Sequence, residues 1–300
     1  MNKIYILFCL FSFSCSVLSA QEVGQKGEVD DTRIEKVRTF AGTRIISAHS
    51  VETLPKGTMD FRIEHRFGDM FGTNGGPQNM FGFDNLSDMR IALEYGVTDQ
   101  LMVGFGRSKG TGAPYRSLLD GFVKFKVLQQ GESSPVSVSL GAGTSFSYMT
   151  AFDDISQVNH FPNWQHRFAY YTQLNMARAF GDRLSLAILP TLTHRNYVAA
   201  NDQNGLFSLG SAMRIKLSGR FALIAEYFHS FAAKEWRPNE LYRQSLGVAL
   251  EWTTFGHNFT VNFTNASGLG ETQFIPYTTE DWLKGQFRFG FCVSRKFEFE

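Results

Sequence analysis

His160 and His166 lie in or just after one polar stretch that also holds Asp153 and Asp154, residue types that ligate divalent metals. Their spacing matches no standard ligand pattern, so exposed loop residues are the plainer reading and no metal site is expected. His65, His194 and His229 fall at the ends of alternating runs and suit an interface better. No G-x-S-x-G, H-E-x-x-H or phosphate-loop pattern occurs. Ser, His and Asp from separate elements can still converge, because such sites are defined by geometry. Nothing here singles out a set, so the reading is a non-enzyme with no catalytic residues and no cofactor.

The charged residues show a clearer pattern. Arg62, Glu64, Arg66, Arg90, Glu94, Lys124, Lys126, Arg214, Lys216, Glu226, Arg243, Glu251 and Arg288 recur opposite apolar rows, in runs that alternate with period two. The apolar rows include Phe61, Leu93, Val103, Phe125, Leu140, Phe287, Phe289 and Phe291. A charged row of this kind lines a wet or ion-paired interior, where it would select ions or small polar solutes. Its cations outnumber its carboxylates even with Asp60 and Asp88 added, which favours anions slightly.

Such rows must be carried by β-strands. "TMDFRIEHRF" sets Met59, Phe61, Ile63, His65 and Phe67 against Asp60, Arg62, Glu64 and Arg66. Similar runs begin near Met89, Leu101, Phe122, Val136, Phe168, Leu184, Phe207, Phe221, Tyr242, Phe259 and Trp282. None keeps a helical period, so twelve strands are expected. Pro190 cannot donate to a ladder and predicts a bulge in its run. The connections sort by length: short at 98–100, 129–135, 181–183, 218–220 and 253–258, long at 68–87, 107–120, 147–165, 195–206, 230–241 and 265–281. Alternating lengths place every long loop at one end of an up-and-down sheet. Membrane barrels do this, and a soluble sandwich has no reason to. Runs of about 9–11 residues suffice for tilted strands to cross a bilayer. Aromatics near run ends (Phe67, Tyr95, Phe180, Phe221, Tyr227, Trp252, Phe259) fit the interfacial girdle. The fold class read here is all-β: an up-and-down antiparallel transmembrane β-barrel of about twelve strands, its aromatic rows facing lipid. The aromatic loop 147–165 could either fold into the mouth or pack on its neighbours.

The first residues read as a secretory signal peptide, 1–20, cut after Ala20. Cys9 and Cys15 would leave with it. Lone Cys292 then excludes an internal disulfide and a thiolate metal cluster. A net charge of +1 gives no basic excess for nucleic acid, and no later apolar run is long enough for a transmembrane helix. Residues 21–56 form a periplasmic segment that either enters the lumen as a partial plug or lies at its rim, and 57–300 form the barrel.

"YGVTDQLMVGFG" (95–106) resembles a hairpin common in bacterial outer-membrane barrels. "HRFGDMFG" (65–72) together with "FGFDNLSDMRIALEYGVTDQLMVGFGRS" (81–108) resembles a domain-of-unknown-function family of outer-membrane β-barrels, from about Phe40 onward. The resemblance implies the fold and a Gram-negative outer-membrane location, and brings no catalytic residues; the twelve-stranded architecture read above has both termini periplasmic. The expected partners are outer-membrane lipid, the barrel assembly machinery that reads a terminal aromatic such as Phe299, and a small polar solute. The expected function is a narrow porin-like channel with slight anion preference. The alternatives are a closed barrel binding through its outer loops, and an outer-membrane enzyme. A charge at inward Gly104 or Ser139 should be milder than one at Leu93 or Phe289.

Overall fold

The computed structural model describes residues 37–85, 88–110, 116–200, 202–232, 237 and 241–299. The expected signal peptide and the early part of the 21–56 segment lie outside them. The strands are β1 (Thr58–Asp69), β2 (Asp88–Gly96), β3 (Leu101–Lys109), β4 (Ser117–Leu128), β5 (Ser137–Ser147) and β6 (Phe168–Phe180). They continue as β7 (Leu184–Arg195), β8 (Gly205–Lys216), β9 (Phe221–Phe231), β10 (Ser245–Thr253), β11 (His257–Thr264) and β12 (Arg288–Glu298). Each pairs antiparallel with its chain neighbours, and β1 closes on β12 from Thr58↔Glu298 to Asp69↔Arg288. The result is the closed, twelve-stranded, up-and-down antiparallel barrel that the alternation predicts.

Period-two alternation puts one row of each strand inside and the other outside. The burial that results is the reverse of a soluble protein's. Glu94 and Lys124 are 0% exposed, whereas Phe105 is 57% and Leu192 59% exposed. No helix among the described residues is long and apolar enough to cross a membrane, so any crossing is made by strands.

Four expectations need correction. The connections alternate in position, but β3–β4 (110–116) is no longer than β4–β5 (129–136), because β3 and β4 extend further toward their shared loop than the pattern suggested. Pro190 makes no bulge: the β6–β7 ladder lacks the pairs between Gln173↔Thr191 and Met176↔Ile188 and resumes in the same register. The missing N–H costs ladder bonds on the β6 side only, and Pro190 still pairs with Leu209 of β8. The tenth strand starts at Ser245, since Tyr242 stacks under Arg237 (3.7 Å) and the Arg243 N–H donates to the Thr278 carbonyl (2.8 Å). The twelfth starts at Arg288. Asp281 accepts from the Leu283 N–H (2.9 Å) and opens a single 3-10 turn (Trp282–Lys284) that Gly285 ends at φ 72. Phe287 therefore precedes the strand and stacks on Trp282 with centroids 4.5 Å apart.

Two further elements lie within the barrel. Residues 43–50 form a tight hairpin closed by Ile45 N–H to Ala48 C=O and Ser50 N–H to Thr43 C=O, both 2.9 Å. The connection between β11 and β12 carries α1 (Glu271–Phe274), whose four residues are all buried. The inward faces of β6–β10, the hairpin and α1 share the largest apolar cluster, with Phe40, Ile45, Ile46, Val51, Leu189, Ile224, Phe228 and Phe274 at its centre.

Candidate functional site

The interior is built around the hairpin. Its two chain ends and its tip meet opposite kinds of side chain. At the ends, Lys124 of β4 donates to the carbonyls of Thr43 (2.9 Å) and Ser50 (3.1 Å). At the tip, the Glu226 carboxylate of β9 accepts from the backbone N–H groups of Ile46 (3.0 Å), Ser47 (3.1 Å) and Ala48 (3.1 Å). Lys124 thus adds a second donor to the Thr43 carbonyl and holds the Ser50 carbonyl, and the Glu226 carboxylate holds three tip amides, so backbone groups that no sheet satisfies still find partners.

Side chains of the hairpin complete the fit. The Thr43 hydroxyl donates to Glu94 and accepts from Arg62 (3.1 Å). Ser47 Oγ accepts from Arg66 (2.5 Å), which also donates to the carbonyls of Ala266 (3.1 Å) and Gly268. Arg44 lies 3.3 Å from Glu271 of α1, and Glu271 also accepts from the His49 N–H (3.1 Å). His49 Nε2 is 2.8 Å from the Tyr171 hydroxyl, and its ring packs on Phe122 with centroids 4.3 Å apart. Burial first, and then the Arg44 guanidinium, push the His49 pKa well below its ordinary value. Burial pushes the Glu271 carboxyl up, and Arg44 opposes that shift.

The structure places the thirteen charged positions at three levels. Arg62, Glu64, Arg66, Arg90, Glu94, Lys124, Glu226 and Glu251 are buried inside. Arg90 is matched on both sides, donating to Glu64 (2.8 Å) and to Asp120 (2.6 Å). Lys126, Arg214 and Lys216 lie toward the short-turn end, half-buried. There Lys126 meets Glu52 at 3.3 Å and Arg214 meets Glu251 at 2.6 Å. Arg243 and Arg288 lie at the long-loop end, Arg243 3.4 Å from Asp281 and Arg288 donating to Glu280 (2.8 Å). Arg243 precedes its strand. Of the apolar rows, Leu93, Phe125 and Leu140 are exposed, while Phe61, Val103, Phe289 and Phe291 are half-exposed. Phe289 and Phe291 join a group of packed, mostly tilted rings with His65, Phe67 and Phe83 (centroids 4.6–6.3 Å).

Gly104 and Ser139 would not accept charge mildly. A Cβ at Gly104 would meet the Phe122 ring at 2.2 Å, and Ser139 is wholly buried. Sequence reasoning missed Arg44, His49, Glu52, Asp120, Tyr171 and Glu271 as interior groups. Asp120 and Tyr171 could have been found by carrying the strand alternation one step further. The others lie off the strands, where no period marks them.

In the loop 147–165, Phe161 is buried against Leu118 and partly buried Tyr277, so this loop packs on its neighbours. The connection that enters the barrel is β11–β12. Among the described residues no cluster of His, Cys, Asp and Glu has the makings of a metal site. His160 Nδ1 is 2.6 Å from the Phe152 carbonyl oxygen, and the His166 ring stacks on Tyr197.

Residues 40–297 match the model of a family described as a membrane bound beta barrel domain (DUF5777). No curated protein matches the chain. Solved structures similar to it include the KdgM porin, at 11% identity and a TM-score of 0.49 over 80% of this chain and 99% of that one. Another is the COG4313 outer membrane channel from Pseudomonas putida F1, at 13% identity and a TM-score of 0.47 over 82% and 98% of the two chains. A third is the outer membrane protein Omp33 of Acinetobacter baumannii, at 7% identity and a TM-score of 0.43 over 81% and 99%.

Proposed function

The chain belongs to the membrane bound beta barrel domain family, and from that premise we propose that it is a narrow, porin-like channel of the bacterial outer membrane for small polar solutes, held shut in this conformation by the hairpin 43–50 and the β11–β12 connection. One observation carries the reading. Beside pairs formed among the strands' own side chains, such as Arg90 with Glu64 and Asp120, two inserted segments fill the interior and are tied to the wall through hydrogen bonds and ion pairs. Such ties can exchange for water bonds when a segment leaves. A barrel whose strand side chains interdigitate has no comparable way to open.

On this reading residues 1–20 are a signal peptide, 21–56 a periplasmic segment ending in the plug, and both termini are periplasmic. Leu93, Phe125, Leu140 and the half-exposed Phe61, Val103, Phe289 and Phe291 face lipid, with Phe287 at the boundary. The test is single-channel conductance in planar bilayers, comparing the full chain with a variant lacking residues 37–56. Rare or small openings in the full chain and steady conductance in the variant are expected. A folded variant with no conductance would sink the channel reading.

A second reading has its own support. Asp202 accepts from both Arg195 and Arg237 at 2.7 Å, and Arg237 also donates to the Pro276 carbonyl, so three long connections are tied together at one end. A closed barrel presenting a fixed outer surface would use such a tie, and absence of conductance would favour it.

A further inference from the structure

We infer that the cavity at the short-turn end, enclosed by residues 37–41 and the inner ends of β6–β8 and β10–β12, binds a small organic polyanion bearing two or more carboxylate or phosphate groups. The inference deepens the channel reading by naming the class of solute, and it rests on that reading for the solute's passage but not for its binding.

Charge is the first argument. Arg38, Arg214, Lys216 and Lys296 line this cavity of about 610 Å3, against one carboxylate among the described residues, that of Asp182. Arg214 is already engaged by Glu251 at 2.6 Å. Arg38, Lys216 and Lys296 form no ion pair among the described residues, whereas Arg62, Arg90 and Arg44, deeper in the barrel, each have a carboxylate within 4.0 Å. Like charges around one low-dielectric bowl repel, and a bound polyanion removes that cost.

The neighbouring cavity provides the contrast. It lies across Val37 and Arg38, measures about 690 Å3, and sets Arg38 and Lys126 against Glu52 and Asp99. Lys126 and Glu52 are 3.3 Å apart. The short-turn end as a whole is therefore not basic; the excess belongs to one cavity. Both volumes fall within the range of small-molecule sites. The three cations with no carboxylate within 4.0 Å come from three separate elements, the inner segment, β8 and β12, and Asp60 and Glu52, outside the lining, act on Lys296 and Arg38 from farther away. One carboxylate cannot satisfy all three, so a ligand with several anionic groups is favoured.

The test is isothermal titration of the full chain in detergent with pyrophosphate, tricarballylate and acetate, alongside conductance of the same preparations. The two polyanions should bind, more weakly as salt rises, and acetate should not. Whichever polyanion binds better tells a phosphate from a carboxylate preference. The double variant Lys216→Gln/Lys296→Gln should weaken binding at least about tenfold, equivalent to about 1.4 kcal/mol. Lys126→Gln, in the other cavity, should change it less than about twofold. If the double variant fails to fold, each single variant should show part of the same loss. Binding without conductance upholds the site while the channel reading falls. Conductance without polyanion binding, equal binding of acetate, or an equal loss in Lys126→Gln each overturns the site.

Discussion

The two halves of the barrel's inner wall obey the same alternation and yet carry opposite chemistry. Around β1, β2 and β4 the inward rows hold Asp60, Arg62, Glu64, Arg66, Arg90, Glu94 and Lys124. Around β7–β9 they hold Ala187, Leu189, Leu206, Ala212, Ile224 and Phe228, with charge confined to Glu226 and, toward the strand ends, Arg195, Arg214 and Lys216. The hairpin explains the division. Its Ile45 and Ile46 side chains pack with the apolar half, while the charged half reaches its ends and its hydroxyls. Inward residues here are chosen against an inserted segment as much as against water, and a polar lumen is only half of what that requires.

The comparison can be broken first on the charged side. Arg90→Ala leaves the Glu64 and Asp120 carboxylates facing each other, and losing one partner of a buried pair costs about 3–5 kcal/mol. Thermal or urea unfolding of the purified barrel, followed by heat-modifiable gel mobility, should show the loss. A change under about 1 kcal/mol would mean that water already reaches the pair. Next comes the outer face: Leu93→Lys should cost about 2–4 kcal/mol in bilayers if this position meets hydrocarbon near the midplane. No cost there would overturn the outer-face assignment. On the apolar side, Ile224→Val should cost about 0.5–1.5 kcal/mol. That cost should shrink when residues 37–56 are deleted, because the buried contact is then gone. An unchanged cost would show that the wall does not depend on the hairpin.

The smallest expected effect is on pH. The docked hairpin keeps His49 below its ordinary pKa, so a released hairpin binds more protons and docking weakens as pH falls below about 6.5. His49 is faced by Arg44, Glu271, Tyr171 and Lys124. Glu271 is shifted the other way, so docking takes up a proton there and the trend reverses at lower pH. Hydrogen exchange at the amides of Ile46, Ser47 and Ala48 should quicken, after correction for intrinsic rates, between about pH 7.5 and 6. Rates that only slow over that interval would remove His49 from the balance.

The alternation made the strands legible, because a sheet's two faces appear in sequence as a period. It misled where side chains kept the period after the backbone had left the sheet, as at Phe287. The segment that holds the hairpin was legible as a possible plug, but its hairpin form and its contacts were not. "TRIISAHS" (43–50) carries no capping or turn signature strong enough to mark it, and its partners Lys124, Glu226 and Glu271 lie far along the chain. Aromatic content drew attention to loop 147–165, yet the segment that enters the barrel is short "GETQF" (270–274), whose fit depends on Phe228 and Ser145. Glu226 could be placed on the inner face from its strand, but nothing local says that it accepts from three backbone amides.

Residues 51–57 join the hairpin directly to β1. A hairpin that comes loose therefore stays tethered at the mouth it left, at an effective concentration on the order of millimolar. Opening and reclosing become a unimolecular equilibrium, independent of how much protein is present. Severing the chain between the hairpin and β1 would leave the same contacts in place but turn closure into a bimolecular reaction, and dilution alone would then open the barrel.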